Sequence, residues 1–177
     1  MEARVTAPAW RGFSASLSAT HGRAISTPPF TGGLFVGNAA VDALSQGAFV
    51  IDHDQKLSLH GVVSWSRRGW FATTSMRHDS GLVVNPSDPE QVAGDPDYAD
   101  VLPWVNLRAI TPRTRPRTIT DLLVGYERRS DSRKRWEASL QVTNALNRTA
   151  LYNFQSLFVG TRLVPPRAAG LRFRYFF

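Results

Sequence analysis

Apolar and polar residues alternate with a period of two along six stretches of the chain, the pattern of β-strands with one apolar and one polar face. The clearest is the last, where Ala169, Leu171, Phe173, Tyr175 and Phe177 oppose Gly170, Arg172, Arg174 and Phe176. Residues 10–21 set Phe13, Ala15, Leu17 and Ala19 against Ser14, Ser16, Ser18 and Thr20. Residues 56–66 set Leu57, Leu59, Gly61, Val63 and Trp65 against Lys56, Ser58, His60, Val62 and Ser64. In 70–80, Trp70, Ala72, Thr74 and Met76 oppose Phe71, Thr73, Ser75, Arg77 and Asp79. In 118–128, Thr120, Leu122, Val124 and Tyr126 oppose Ile119, Asp121, Leu123, Gly125 and Glu127. Residues 135–144 follow with Trp136, Ala138, Leu140 and Val142 opposed by Glu137, Ser139, Gln141 and Thr143. The fold class expected is all-β, an antiparallel up-and-down meander of about six strands.

The connections carry a second pattern. Arg67-Arg68-Gly69 and Ser130-Asp131-Ser132 are short turn signals, whereas residues 22–54, 81–116 and 145–167 are long and irregular. Brief helical turns are expected at 41–46 and 97–102. Short and long connections thus alternate strictly, which places all short turns at one end of the sheet. Membrane-spanning β-barrels have this asymmetry, together with an apolar outer face and a polar lumen. Trp65, Trp70 and Trp136 flank the short turns, where an interfacial aromatic girdle would lie.

Composition narrows the field. No run of about 20 apolar residues exists and the mean hydropathy is −0.22, so a transmembrane helix is not expected. The absence of cysteine removes disulfides and thiolate metal sites. The first residues lack the apolar segment of a signal peptide, as expected of a fragment of an exported protein. The formal charge of +7 is almost wholly arginine, and Lys56 and Lys134 are the only lysines. Such a balance raises the alternative of a soluble basic β-domain binding nucleic acid or another anionic partner through arginine and stacked aromatics. Against it, most strand aromatics fall on the face opposite Arg77, Arg172 and Arg174, so nucleic acid is not the expected partner.

Several short motifs then converge. Val142-Thr143-Asn144-Ala145-Leu146-Asn147 is similar to the strand-ending signature near the C-terminus of TonB-dependent outer-membrane receptors. Asp121-Leu122-Leu123-Val124-Gly125-Tyr126-Glu127 resembles the strand before it. Asp52-His53-Asp54-Gln55, Arg77-His78-Asp79-Ser80-Gly81, Gly160-Thr161-Arg162, Pro165-Pro166-Arg167 and Gly170-Leu171-Arg172 follow the family's order. The resemblance implies that residues 1–177 are the C-terminal quarter or so of a barrel of roughly 22 strands, with the plug domain absent. It implies location in the bacterial outer membrane. Complete receptors of this kind import large, scarce ligands; six strands without a plug are not expected to transport alone. The implied partners are outer-membrane lipid, the remaining barrel and plug, and the barrel-assembly machinery, with the ligand unspecified. Leu171, Phe173, Tyr175 and Phe177 resemble the terminal-strand assembly signal.

Arg77, Asp121, Glu127, Glu137, Arg172 and Arg174 are the candidate lumen-facing charges, since each lies on a polar face. His21, His53, His60 and His78 sit on different strands or loop ends, so no metal site is expected, even with Asp52 and Asp54 beside His53. His78, Asp79 and Ser80 do not make a hydrolase triad, because neighbours on a strand point to opposite faces. Neither a catalytic function nor a cofactor is expected. Tyr152, Phe154 and Phe158 in the last long connection are expected to pack that loop rather than contact a ligand.

Overall fold

The computed structural model describes residues 1–28, 41–42, 45–51, 54–84, 88–130, 133–156 and 160–176. The chain opens with a hairpin, β1 (Glu2–Trp10) and β2 (Phe13–Thr20). The first long connection contains the short pair β3 (Ile25–Ser26) and β4 (Phe49–Val50). A second hairpin follows, β5 (Ser58–Arg67) and β6 (Trp70–Asp79). The next connection holds a helix, α1 (Pro89–Gly94), 3-10 turns at Pro96–Tyr98 and Leu102–Trp104, and the pair β7 (Val105–Asn106) and β8 (Arg113–Thr114). The third hairpin is β9 (Arg117–Ser130) with β10 (Arg133–Thr143). A ribbon of β11 (Leu151–Ser156) and β12 (Gly160–Leu163) fills the last connection before β13 (Ala168–Tyr175).

The principal sheet has seven strands in the order β1-β2-β5-β6-β9-β10-β13, every pair antiparallel. It is therefore the meander that the alternation predicts, with one strand more. Residues 2–10 escape the pattern because their apolar side are the small Ala3 and Ala7 around Val5, followed by Pro8. The added strand extends the alternation of connections: a third short turn, Arg11-Gly12, joins β1 to β2.

The chemistry of two short turns is the same. Arg11 and Gly12 have φ of 50° and 88°, and Arg68 and Gly69 have 53° and 88°. Two successive positive φ values give a type I′ turn, whose twist matches that of the flanking strands. Each turn also bonds to the next hairpin: Gly12 O accepts from Ser66 N–H at 2.9 Å, and Gly69 O from Glu127 N–H at 2.8 Å. A Cβ at Gly69 would lie 2.6 Å from Glu127 O, so glycine allows both the turn and its neighbour's approach.

The apolar core lies in the long connections. Val84, Val92, Val105, Leu151 and Phe154 are buried together, with Tyr98, Trp104 and Leu107 packed around them. The helical turn expected at 97–102 is met at its two ends by the 3-10 turns, and α1 precedes them. Asp88 caps α1 by accepting from Glu90 and Gln91 N–H, and Pro89 occupies its first turn. At 41–46 the described residues include the turn bond from Ser45 N–H to Val41 O, 3.0 Å.

Candidate functional site

The two faces of the sheet are the chemistry that this fold displays. Register partners share a face, so the pairings settle which residues lie together. One row runs Phe13, Trp65, Ala72, Val124, Leu140 and Leu171; an adjacent row holds Val63, Thr74, Leu122, Val142 and Ala169. Phe13, Leu17, Leu59, Val63, Met76, Val124, Leu140, Val142, Phe173 and Tyr175 all fall on this one face. Among the described residues nothing covers it. Val5 is 69 % exposed, Leu171 88 % and Phe173 68 %, and Val63, Met76, Val124 and Leu140 are exposed as well. The accessible surface of 12058 Å² exceeds the about 8,600 Å² expected of a folded monomer of this mass.

Aromatic rings form a belt on the same face near the short turns. Phe13 and Trp65 lie 6.3 Å apart between centroids, Trp70 and Tyr126 5.1 Å, Tyr126 and Trp136 5.5 Å, and Trp136 and Phe173 6.1 Å. The belt does not follow a register row. Trp10, Phe13 and Trp65 share one row, Trp70 and Tyr126 lie in the next apolar row towards the turns, and Trp136 and Tyr175 in the one after. At ordinary strand dimensions this is a descent of about 13 Å across about 22 Å of sheet, a slant of about 30°. Strands in membrane barrels tilt by about 35–45°, so the belt of such a barrel becomes roughly level in the bilayer plane.

The opposite face gathers the polar residues. Arg77, Asp121, Glu127, Glu137, Arg172 and Arg174 all lie on it, but not as a single ladder. Glu127, Glu137 and Arg174 form one row near the short turns, where Arg129 Nε donates to Glu127 at 2.7 Å. Arg77 and Asp121 lie at the other end, lining a cavity of about 260 Å³ with His60, Thr143, Asn144 and Tyr152. Arg172 stands beside Ser139 between these groups. Leu171, Phe173 and Tyr175 keep their alternation on the exposed apolar face, while Phe177, His53, Asp52 and Phe158 lie outside the described residues. His60 faces the polar side; His78 faces the apolar side and bonds Thr118 Oγ1 at 2.9 Å.

Among the described residues, a buried ion pair fastens the last connection to the sheet and a partly buried one joins the first two connections to each other. Asp79 and Arg117, register partners on β6 and β9, pair at 3.0 Å with both side chains buried. Gln55 Nε2 and Ser58 Oγ also donate to Asp79, at 2.6 and 2.9 Å. Arg117 donates onward to Leu151 O at 3.0 Å and lies 4.6 Å from the centre of the Tyr152 ring, holding β11 over the sheet end. Asp54 pairs with Arg113 and accepts from Ala24 N–H at 2.7 Å. Burial pushes the Asp54 carboxyl up, but the bonds from Arg113 and Ala24 and the charges of Arg113 and Arg23 outweigh it and hold the pKa below 3.8. The sequence names Asp54 and Asp79 only where a metal site and a triad are set aside, and gives Arg113 and Arg117 no role. The signal available was an arginine at the loop-proximal end of a strand's polar face. Phe154 packs edge-on against Tyr98 at 5.3 Å, so it packs the loop as expected.

No known protein family, curated protein or solved structure matches the chain.

Proposed function

We propose that this chain is a wall segment of an outer-membrane β-barrel of the TonB-dependent receptor kind, which in complete form takes up a large ligand. The observation that carries the reading is the bare apolar face of a seven-stranded antiparallel sheet with its short turns at one end. A water-soluble sandwich buries such a face under a second layer. Lipid covers it without one. The strands of the sheet run 8–14 residues, which matches a tilted bilayer crossing of about 9–11. The slanted aromatic belt and the well-built opposite end add support.

An open sheet cannot end in hydrocarbon, because its edge N–H and C=O groups would find no partner there. The β1 and β13 edges therefore require further strands. Seven alternating strands make β1 and β13 run in the same direction, so an antiparallel complement must contribute an odd number. A barrel of roughly 22 strands leaves about 15, which satisfies this parity. In that barrel Arg77, Asp121, Glu127, Glu137, Arg172 and Arg174 face the lumen, and Leu171, Phe173 and Tyr175 present the assembly signal. The segment by itself moves no ligand.

Adjacent residues on β10 test the reading. Leu140 lies on the apolar face and Gln141 on the polar one, both exposed. Leu140→Arg is expected to lower folding into lipid vesicles by about 2–4 kcal/mol, the cost of arginine at the bilayer midplane, while Gln141→Arg changes it little. Protease protection of the vesicle-inserted chain measures both. Equal effects of the two substitutions contradict a lipid face.

A further inference from the structure

The bare face does not end at its aromatic belt. One position nearer the turns from each part of that belt stands an arginine. Arg11 lies in the β1–β2 turn with its guanidinium carbon 4.8 Å from the centre of the Trp10 ring. Arg67 closes β5 as the register partner of Trp70, one apolar row below Trp65. Arg128 on β9 is the register partner of Trp136, one apolar row below Tyr126. The arginines therefore step down the sheet with the belt, at the same slant, instead of following one row of hydrogen bonds.

Their surroundings leave the charges available. Arg67 and Arg128 are exposed, and no ion pair engages Arg11, Arg67 or Arg128 among the described residues. None of the described residues on the apolar face is acidic. Glu127 and Glu137 border the same cavity as Arg67 and Arg128 but project from the opposite face by register, and Glu127 is bonded to Arg129. Aliphatic side chains, then aromatic rings, then unpaired guanidinium groups make a profile normal to the slant: hydrocarbon, interface, anion. Guanidinium recognises phosphate through paired N–H bonds, and indole and phenol rings prefer the zone between acyl chains and headgroups.

We propose that Arg11, Arg67 and Arg128 form a headgroup-binding rim that seats the short-turn edge of the sheet on an anionic phospholipid surface. The inference rests on the barrel reading and adds to it a lipid class and a side. Hydrocarbon contact fixes only the depth of the sheet, whereas the rim adds attraction to one leaflet, selective for negative headgroups. Charge complementarity favours this occupant over a protein groove, because the arginines are spread along a line parallel to the bilayer plane.

The test compares the full chain on vesicles of phosphatidylcholine alone and of phosphatidylcholine mixed with phosphatidylglycerol, at low and high NaCl, reading tryptophan fluorescence against lipid concentration. The paired variant Arg67→Gln/Arg128→Gln is set beside Arg108→Gln/Arg115→Gln, which removes the same charge from exposed positions in the long connections. The rim predicts tighter, salt-sensitive binding to the mixed vesicles, about 30-fold of which is lost in the rim variant at unchanged affinity for neutral lipid. The loop variant loses much less. Equal losses in both variants, or no gain from phosphatidylglycerol, overturn the rim while binding to neutral vesicles still supports the lipid face. Failure of the chain to bind vesicles of either composition overturns the lipid face and the rim with it. A rim variant that loses affinity for a single-stranded oligonucleotide but none for mixed vesicles overturns the rim in favour of nucleic acid.

Discussion

Asn144 shows what a single residue does at the end of a long sheet strand. Its φ of 46° turns the chain out of β10, a conformation that asparagine tolerates far better than most side chains. Its N–H donates to Asp121 at 2.8 Å, its amide donates to Arg148 O and Pro165 O at 2.9 Å each, and its Oδ1 accepts from Arg148 N–H at 2.8 Å. Asn147, also at positive φ, accepts from Arg167 N–H at 3.0 Å. The segment Asn144-Ala145-Leu146-Asn147 was legible in the sequence as a strand terminus, but its partners Asp121, Pro165 and Arg167 come from distant positions and have no local signature. Asn144→Ala is expected to cost about 3 kcal/mol, roughly 1 for each side-chain bond lost. Asn144→Gly should be milder, since glycine keeps the backbone turn. Urea unfolding of the full chain in detergent micelles, followed by tryptophan fluorescence, measures the order of the two.

At the scale of elements, the strands were readable and their anchoring was not. Alternation depends only on neighbours two apart, so β2, β5, β6, β9, β10 and β13 announce themselves. β1 does not, because alanine and proline give weak contrast. α1 is short and capped by Asp88, and its buried residue is Val92 alone, too little for a helical period. The cap over the sheet depends on Asp54, which joins the first connection at Ala24 to the second at Arg113. Arg113 also donates to Asp54 O at 3.1 Å and Gly81 O at 3.2 Å. The sign of its pH dependence follows from the lowered carboxyl pKa. The folded form holds the carboxylate more tightly than the unfolded chain, so this stabilisation is full above the unfolded value near 3.8. It is lost as pH falls through the lower folded value. Pepsin cleavage of the long connections, normalised to an unstructured substrate, should therefore rise steeply below about pH 4. Asp54→Asn should cleave faster already above that pH and show no such step.

For the whole molecule, the decisive property is where the apolar surface goes. The buried cluster around Phe154 and Leu151 holds the long connections together at one end of the sheet, yet the larger apolar surface is exposed. Sequence alternation identified that surface residue by residue, but alternation is the same for a strand facing a protein core and a strand facing lipid. Only the tertiary arrangement, with no second layer over the sheet among the described residues, separates the two. The chain has no cysteine, so single cysteines can carry a nitrobenzoxadiazole probe at chosen positions. Val63 and Val124 lie on the apolar face, and their chain neighbours Ser64 and Leu123 on the polar one. The four variants Val63→Cys, Ser64→Cys, Val124→Cys and Leu123→Cys, reconstituted with lipids brominated along their acyl chains, report whether the apolar face meets lipid. Strong quenching and a blue-shifted emission are expected at 63 and 124, with neither at 64 and 123. Quenching that is equal at all four positions, or absent from all four, would contradict a lipid face.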